Sequence, residues 1–243
     1  MTSVQESLLA RTFVELTDTT GPGFDLAAFL RNLALRCAEV LGAEAAGVLV
    51  TDGDVRAAEG TTETVRDLER LELEHEQGPG VDSRASGDAV RCDDLAHTDG
   101  NWPDFAAAAI EAGFTAVLAI PMRQRDEVIG AVTLLSAHAI AADESGIGHA
   151  LAGVAASGLV HQRVQRRQET LVDQLQMALT SRIAIEQAKG VLAERLGVDV
   201  GEAFSVLRSY ARSRNRRIVE VARGVVEGGP EGDAVVAAHR PPR

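Results

Sequence analysis

Apolar residues in the first part of the chain recur with a helical period and then in short, strand-like runs. Between residues 24 and 41 they return every three or four positions, which predicts a helix with one apolar face, ended by Gly42. Two β-prone runs then flank Asp52 and Gly53, a pair that favours a tight hairpin turn. Residues 61–77 predict a polar helix, and the glycines, proline and serines between 78 and 90 predict a loop.

A second series of helix and strand patterns follows. Pro103 suits the first turn of a helix that the alanines up to residue 112 continue. Two apolar runs, 114–122 and 128–136, are separated by a polar turn and predict an antiparallel pair, and residues 143–160 predict an alanine-rich helix. The order of these elements predicts an α+β domain in which helices flank an antiparallel sheet.

A long helix is predicted to leave this domain, because no glycine or proline lies between residues 160 and 185. Within it a stripe with alternate steps of four and three residues extends over three repeats, which predicts a coiled coil and a parallel homodimer. Two polar members of the stripe weaken the seam while fixing its register. The alternative is that the stripe packs against the first domain of its own chain. The seam positions are Val164, Gln168, Leu171, Leu175, Ala178, Arg182 and Ile185.

The C-terminal region predicts an all-α module of three helices. The long helix ends at Gly197, a candidate left-handed cap, and the spacing of Asp199 and Glu202 predicts a capping box that starts the second helix. Asn215 is predicted to cap a third helix that continues to Val226. The residues from 229 to 243 predict a short disordered tail.

The net charge of −12 is distributed unevenly along the chain. Residues 1–160 carry 10 arginines against 26 acidic residues, whereas residues 161–228 carry 12 basic against 8 acidic residues. The basic residues include the single lysine of the chain, Lys189. A basic module of this size favours a phosphate-bearing partner, and the alternative is that its arginines simply solvate a helical bundle.

Several classes of protein and site are disfavoured by composition. No apolar run approaches the roughly 20 residues that span a bilayer, and the first residues do not resemble a secretion signal, so we expect a cytoplasmic protein without membrane contact. Cys37 and Cys92 lack paired-ligand spacing and the six histidines are scattered, so we expect no metal and no cofactor. No G-x-S-x-G elbow is present, and we expect no catalytic residue.

Residues 10–160 resemble a GAF domain of the kind found in actinobacterial regulators. The similarity lies in AGVLVTDGD at 46–54, the Gly-Pro-Gly-Val-Asp turn at 78–82, AVRCDDL at 89–95, and the runs 101–122 and 128–136. Relatives often have cysteine where this chain has Gly80. The resemblance implies a sensor with a pocket for a small molecule between the sheet and its loops. Candidate wall residues are Cys92, Asp94, Trp102 and Phe105, for which core and capping roles are the alternative.

The C-terminal module resembles the ANTAR domain, the RNA-binding output of antitermination regulators. The motifs are AL-x-SR-x-x-IEQAKG-x-L at 178–192, EAF-x-x-LR at 202–208 and N-x-R-I-x-x-VA at 215–222. The resemblance implies a dimer that binds two adjacent RNA stem-loops with six-base loops and prevents a terminator hairpin from forming. It assigns a GAF domain to 10–160, a linker helix to 161–177, an ANTAR domain to 178–228 and the tail to 229–243. The expected RNA contacts are Lys189, Arg208, Arg212 and Asn215, with Ser181, Arg182, Arg214, Arg216 and Arg217 nearby.

Two other functions are alternatives to this interpretation. In one, the basic helices bind DNA as a helix-turn-helix regulator, although the arginines gather at a helix end rather than along a recognition helix. In the other, the first domain is an enzyme with a dimerising tail. Some GAF-like domains reduce methionine sulfoxide, but that reaction needs several cysteines around one pocket.

Overall fold

The computed structural model describes residues 3–17, 23–53, 55–98, 100–140 and 145–239. The chain forms two compact units, one up to Gln165 and one from Arg166. The first unit contains a five-stranded antiparallel sheet with the strand order β2-β1-β5-β4-β3. Its strands are β1 (Ala45–Asp52), β2 (Val55–Gly60), β3 (Val90–Cys92), β4 (Ala116–Gln124) and β5 (Glu127–Ser136). Both predicted hairpins and the predicted α+β class are confirmed.

Helices cover both faces of the sheet. Residues alternate along β1, so that Val48 and Val50 pack in the core with α2 and α6, whereas Ala45 and Leu49 pack on the opposite face, beside α3. Asp25 caps α2 by accepting hydrogen bonds from two backbone amides of its first turn, and Gly42 ends it in the left-handed conformation. The helices are α1 (Ser3–Thr17), α2 (Leu26–Leu41), α3 (Glu63–His75), α4 (Pro79–Ser86), α5 (Pro103–Glu111) and α6 (Ser145–Leu196).

Helix α4 occupies a segment for which the sequence predicts a loop. Pro79 lies in its first turn, where a missing N–H costs nothing, and Gly87 ends the helix with a positive φ of 75°. A Cβ atom at Gly80 would lie 2.7 Å from Leu49 Cδ2 and 3.2 Å from Thr133 Oγ1. Pro79 therefore starts a short helix, Gly87 ends it, and Gly80 allows its close contact with the sheet.

The second unit is a helical bundle around the end of α6. Asp199 accepts hydrogen bonds from the amides of Gly201 and Glu202, which confirms the predicted start of α7 (Val200–Ser213), and Gly197 has the predicted positive φ of 69°. Helix α8 covers Ile218–Val226. The buried residues of the bundle include Ala184, Ala188 and Leu192 from α6 together with Leu207, Val221, Ala222 and Val225.

Two predictions for this unit differ from the structure. Asn215 does not cap α8, which begins after Arg217; it has a left-handed φ of 51° in the turn, a conformation that asparagine tolerates. Pro230–His239 form a fourth helix, α9, although a disordered tail is predicted there. Val235 of α9 is fully buried against α7 and α8. The last four residues of that predicted tail, and residue 143 where α6 was predicted to begin, lie outside the described part of the chain.

Two carboxyl groups of α3 are buried, that of Glu69 against Gly47 of β1 and that of Glu72 against the first turn of α4. Glu72 accepts a hydrogen bond of 3.0 Å from the Val81 amide, whereas neither carboxyl oxygen of Glu69 has a hydrogen-bond partner among the described residues. Burial raises the pKa of Glu72 to about 8. Burial, and then the neighbouring Glu72, raise the pKa of Glu69 well above its ordinary value. The folded first unit therefore favours protonated carboxyls at this position.

Replacing Glu72 by glutamine should stabilise the first unit at alkaline pH. The pKa of Glu72 is raised on folding, so the stability associated with its proton is fully present below pH 4.5 and is lost as the pH rises to about 8. At about 1.4 kcal/mol per pKa unit, Glu72→Gln should raise the free energy of unfolding above pH 8 by about 2–4 kcal/mol and change it little near pH 4.5. Denaturant unfolding followed through Trp102, the single tryptophan, measures this. The exposed Glu74→Gln is the control, and an unchanged pH profile in Glu72→Gln would contradict the prediction.

Shortening Val235 should destabilise the second unit, because its side chain is fully buried. We expect Val235→Ala to lower the free energy of unfolding by about 1–3 kcal/mol. The single tyrosine, Tyr210, lies in this unit and reports its unfolding separately from that of the first unit. Val226→Ala, at a side chain that is 38% exposed, is the matched control. Equal stability of Val235→Ala and the unaltered protein would mean that α9 does not pack on the bundle.

Candidate nucleic-acid interface and sensor cavities

The predicted contact residues of the second unit gather at the end of α7 and in the turn before α8. Arg208 and Arg212 lie one turn apart on α7, and both are exposed. Arg217, at the N-cap position of α8, is exposed as well. None of these three arginines forms an ion pair with a described residue. Their guanidinium groups are therefore available to an anionic partner.

Other members of the predicted set already have partners inside the unit. The Arg214 guanidinium lies 4.5 Å from the centre of the Tyr210 ring, and Tyr210 is only 7% exposed. Tyr210 is therefore a core residue rather than a stacking surface. Arg216 forms an ion pair with Glu231 of α9 and lies 3.9 Å from Glu220.

Lys189 contacts two side chains within the bundle. Its Nζ atom donates to both carboxyl oxygens of Glu186, at 3.0 and 2.8 Å, and lies 5.6 Å from the centre of the Phe204 ring of α7. Its side chain is 17% exposed. Near it on α6, Arg182 is exposed without an ion pair to any described residue, and Ser181 is half-buried. Of the predicted contacts on α6, Arg182 is the most accessible.

The predicted dimer seam is exposed in the single chain. Val164, Leu171, Leu175 and Ala178 are all solvent-exposed, Leu175 by 61%. Leu175 and the buried Ala184 are nine residues apart, which is two and a half turns, so they point to opposite sides of α6. Further exposed apolar side chains on that side are Val172, Leu179 and Ile183. Ile185, the last predicted seam position, instead packs against the bundle core.

Two cavities lie beside the edge of the sheet that β2 and β1 form. The larger, of about 610 Å³, lies between the start of α2, β2 and α3. The smaller, of about 400 Å³, lies between β1, β2, the end of α3 and α4, and shares Arg56, Leu73 and Glu76 with the larger. Its lining is Leu49, Thr51, Gly53, Arg56, Leu73, Glu76, Val81 and Arg84. The sequence does not predict these residues as a group, because its pattern between 78 and 90 is typical of a loop and does not reveal the helix that carries Val81 and Arg84.

The predicted pocket residues lie in another part of the first unit. Phe105 is 1% exposed in a packed apolar cluster, against which Cys92 and Trp102 rest. Asp94 caps the short 3-10 helix Leu95–His97, and its hydrogen bond from His97 lowers its pKa. The structure therefore brings the three apolar residues together as core, with Asp94 in a capping role.

The two cysteines lie in separate clusters. Cys37 is fully buried on α2, and burial raises its pKa to about 12, which leaves its thiol unreactive. Cys92 belongs to the cluster around Phe105. Within the described ranges, no group of three metal-binding side chains is close enough to hold an ion, and no helix is both long and apolar enough to cross a membrane.

Arg163 fastens α6 to the ends of two strands. It donates two hydrogen bonds to Glu127 of β5, at 3.0 and 2.9 Å, and its Nη1 atom also contacts Asp52 at the end of β1. Its side chain is 23% exposed, so these interactions are partly shielded from solvent. The last part of α6 within the first unit is therefore tied directly to the sheet.

Comparisons with known proteins identify both units. A family model for the GAF domain matches residues 25–158, and one for the ANTAR domain matches residues 173–226. A GAF domain is a sensor domain, and an ANTAR domain is an RNA-binding antitermination domain. A pairing of these two domains is typical of a regulator rather than an enzyme. No curated protein matched the chain.

Solved structures resemble the first part of the chain in fold. The GAF domain of a phosphoenolpyruvate-protein phosphotransferase from Coxiella burnetii superposes with a TM-score of 0.51 at 16% identity, covering 67% of this chain and 96% of that one. The corresponding domain from Acinetobacter gives 0.49 at 12% identity, covering 68% and 97%. Free methionine-R-sulfoxide reductase from Neisseria meningitidis gives 0.48 at 16%, covering 67% and 92%. At such identities the Coxiella domain indicates a shared fold alone.

Proposed function

This chain belongs to the GAF-domain proteins and carries an ANTAR domain behind its GAF domain, and from that premise we propose that it is a signal-responsive antitermination regulator. It acts in the cytoplasm as a homodimer. It binds paired stem-loops with six-base loops in nascent RNA and prevents a terminator from forming. The GAF domain receives the signal, and the ANTAR domain carries the output.

The unpaired arginines at the end of α7 are the observation that carries the RNA assignment. Arg208, Arg212 and Arg217 are exposed and lack ion pairs within the described residues, in a unit that otherwise neutralises several of its cations. Arginine donates to phosphate oxygens in a fixed fork and also stacks on unpaired bases, as RNA loops require. Asn215, exposed in the same turn, supplies an amide for base edges. We assign these four residues to the RNA contact, with Arg182 beside them, and Lys189 to holding α6 against α7.

The homodimer is supported by the exposed face of α6. The exposed apolar residues between 164 and 183 other than Met177, seven in number, lie on one side of α6 in the single chain, and such a stripe is typically covered by a partner helix. Gly190 lies seven residues beyond Ile183 on the same side, and a Cβ atom there would meet no atom within 4 Å. A glycine inside a helix costs about 1 kcal/mol relative to alanine. A glycine at this open position therefore favours the close approach of a partner molecule to α6.

Removing two of the free arginines should weaken RNA binding without unfolding the protein. We expect Arg208→Ala with Arg212→Ala to reduce affinity for a two-hairpin RNA by about tenfold or more, and the slope of log K against log salt by about one per arginine. Arg166→Ala with Arg167→Ala removes the same charge from α6 outside residues 173–226 and is the matched control. Affinity is measured at defined salt against RNA with scrambled loops and duplex DNA of equal charge. Equal losses in both double variants would refute the site, and equal affinity for DNA and loop RNA would favour a helix-turn-helix regulator.

Charges placed in the exposed stripe should separate the dimer. Leu171→Glu with Leu175→Glu places four carboxylates in the seam of a parallel pair, and we expect dimer affinity to fall by about 100-fold or more. The matched control is Gln174→Glu with Met177→Glu, because Met177 is also exposed but lies on the other side of α6. Sedimentation velocity over a range of protein concentrations gives the dissociation constant of the dimer for the unaltered protein and for each double variant. A monomer in all three proteins, with or without RNA, would rule out this seam.

A further inference from the structure

Helix α9 lies beyond the ANTAR domain and carries two acidic residues in its first turn. The family model for the ANTAR domain matches residues 173–226, and α9 begins only after them. Glu231 of α9 forms an ion pair with Arg216, and the Oδ1 atom of Asp233 lies 3.1 Å from the Nη1 atom of Arg195 of α6. The chain therefore adds to its ANTAR domain a helix that neutralises two of the cations of the bundle.

Arg216 is the one of these two cations that lies in the turn assigned to RNA. It stands between Asn215 and Arg217, which are both exposed. Its Nη1 atom donates to Glu231, and its Nε atom lies 3.9 Å from a carboxyl oxygen of Glu220 of α8. One guanidinium between two carboxylates carries a net negative charge, which repels a phosphate that approaches this part of the turn.

The packing of α9 fixes the position of Glu231. A Cβ atom at Gly224 of α8 would lie 2.9 Å from both Cβ and Cγ of Glu231, so the missing side chain at Gly224 makes room for the glutamate. Glycine is disfavoured inside a helix, which gives its presence in the middle of α8 a reason in this contact. Val235, one turn further along α9, is fully buried. The carboxylate is therefore held beside the interface by the fold of the bundle.

The Arg216 guanidinium remains open to competition for the carboxylate. The side chain of Arg216 is 39% exposed, whereas that of Glu231 is 21% exposed. Ion pairs near the surface contribute little to stability, and a phosphate offers the guanidinium the same fork of acceptor oxygens as a carboxylate. RNA and Glu231 can therefore compete for one donor.

We propose that α9 is an autoinhibitory element of the RNA interface, in which Glu231 occupies the guanidinium of Arg216 and withholds one phosphate contact from RNA. The inference rests on the proposed RNA-binding function and adds a regulation of that same site. Arg208, Arg212 and Arg217 supply the basal affinity, and a displacement of α9 adds Arg216 to them.

The test compares the affinity of four full-length proteins for the two-hairpin RNA between about 50 and 200 mM salt. We expect Glu231→Gln to raise the affinity about threefold or more at the lower salt, and the slope of log K against log salt by about one, because one further guanidinium contacts a phosphate. Asp233→Asn removes the same charge from the same turn of α9, but its partner Arg195 is not an expected RNA contact, so the affinity should change less than about twofold. Arg216→Gln with Glu231→Gln keeps the net charge and removes the donor, so its affinity and slope should match those of the unaltered protein.

Circular dichroism and unfolding through Tyr210 establish that each variant is folded. Glu231→Asp, which shortens the side chain by one methylene, weakens the pair in the same direction and serves if Glu231→Gln does not fold. An unchanged or lower affinity of Glu231→Gln, as a purely structural role for Glu231 predicts, would overturn the proposal. So would an equal gain in Asp233→Asn, or a gain that persists in the double variant.

The same titrations separate this inference from the proposed function. Loop-dependent RNA binding by the unaltered protein, without a gain in Glu231→Gln, would refute the role of α9 and leave the regulator intact. Loop-dependent binding that appears only in Glu231→Gln would support both. Its absence from every protein, with RNA of scrambled loops as the comparison, would refute the proposed RNA output and the inference that rests on it.

Discussion

The structure depends on helix α6, whose two end segments pack in the cores of the two units and whose middle segment is exposed to solvent. Helix α6 contributes Leu151 and Ala155 to the core of the first unit and Ala188 and Leu192 to the bundle of the second. Every residue from 164 to 180 is exposed in the single chain. Helices in proteins owe most of their stability to packing of an apolar face, and this stretch has such a face without a cover. A second copy of the chain that covered this face would therefore bury the stretch of α6 that joins the GAF domain to the ANTAR domain.

Strand β1 of the GAF domain lies between the smaller cavity on one face of the sheet and helix α6 on the other. Odd-numbered residues of β1 face α3 and α4, and even-numbered residues face α2 and α6. Thr51 lines the smaller cavity, and the next residue along β1, Asp52, contacts Arg163 of α6. The end of β1 is therefore adjacent both to the cavity and to α6.

Local chemistry accounts for what could be predicted from the sequence. The Asp52-Gly53 turn, the Asp199 cap and the glycine stops at 42 and 197 depend only on neighbouring residues, and all four are present. Helix α4 was missed because Pro79 and Gly87 were interpreted as loop residues, when a proline and a glycine eight positions apart can equally start and end a helix. Helix α9 was missed because its order depends on burying Val235 against two other helices, a contact that no local pattern reveals.

The same distinction applies to the interface. Composition shows that the second unit is basic, but it does not show which cations are free, because neutralisation is a tertiary property. Lys189 forms an ion pair with Glu186 of the same helix, α6. Arg216 pairs with Glu231 and Arg195 with Asp233, both in α9, a helix that the sequence does not predict. Among the residues expected to contact RNA, those exposed without an ion pair or ring contact to a described residue include Arg208 and Arg212 of α7, Arg217 in the turn that follows it, and Arg182 of α6. A compact set of donors around a turn suits a splayed RNA loop better than the groove of a duplex, which a recognition helix reads along its length.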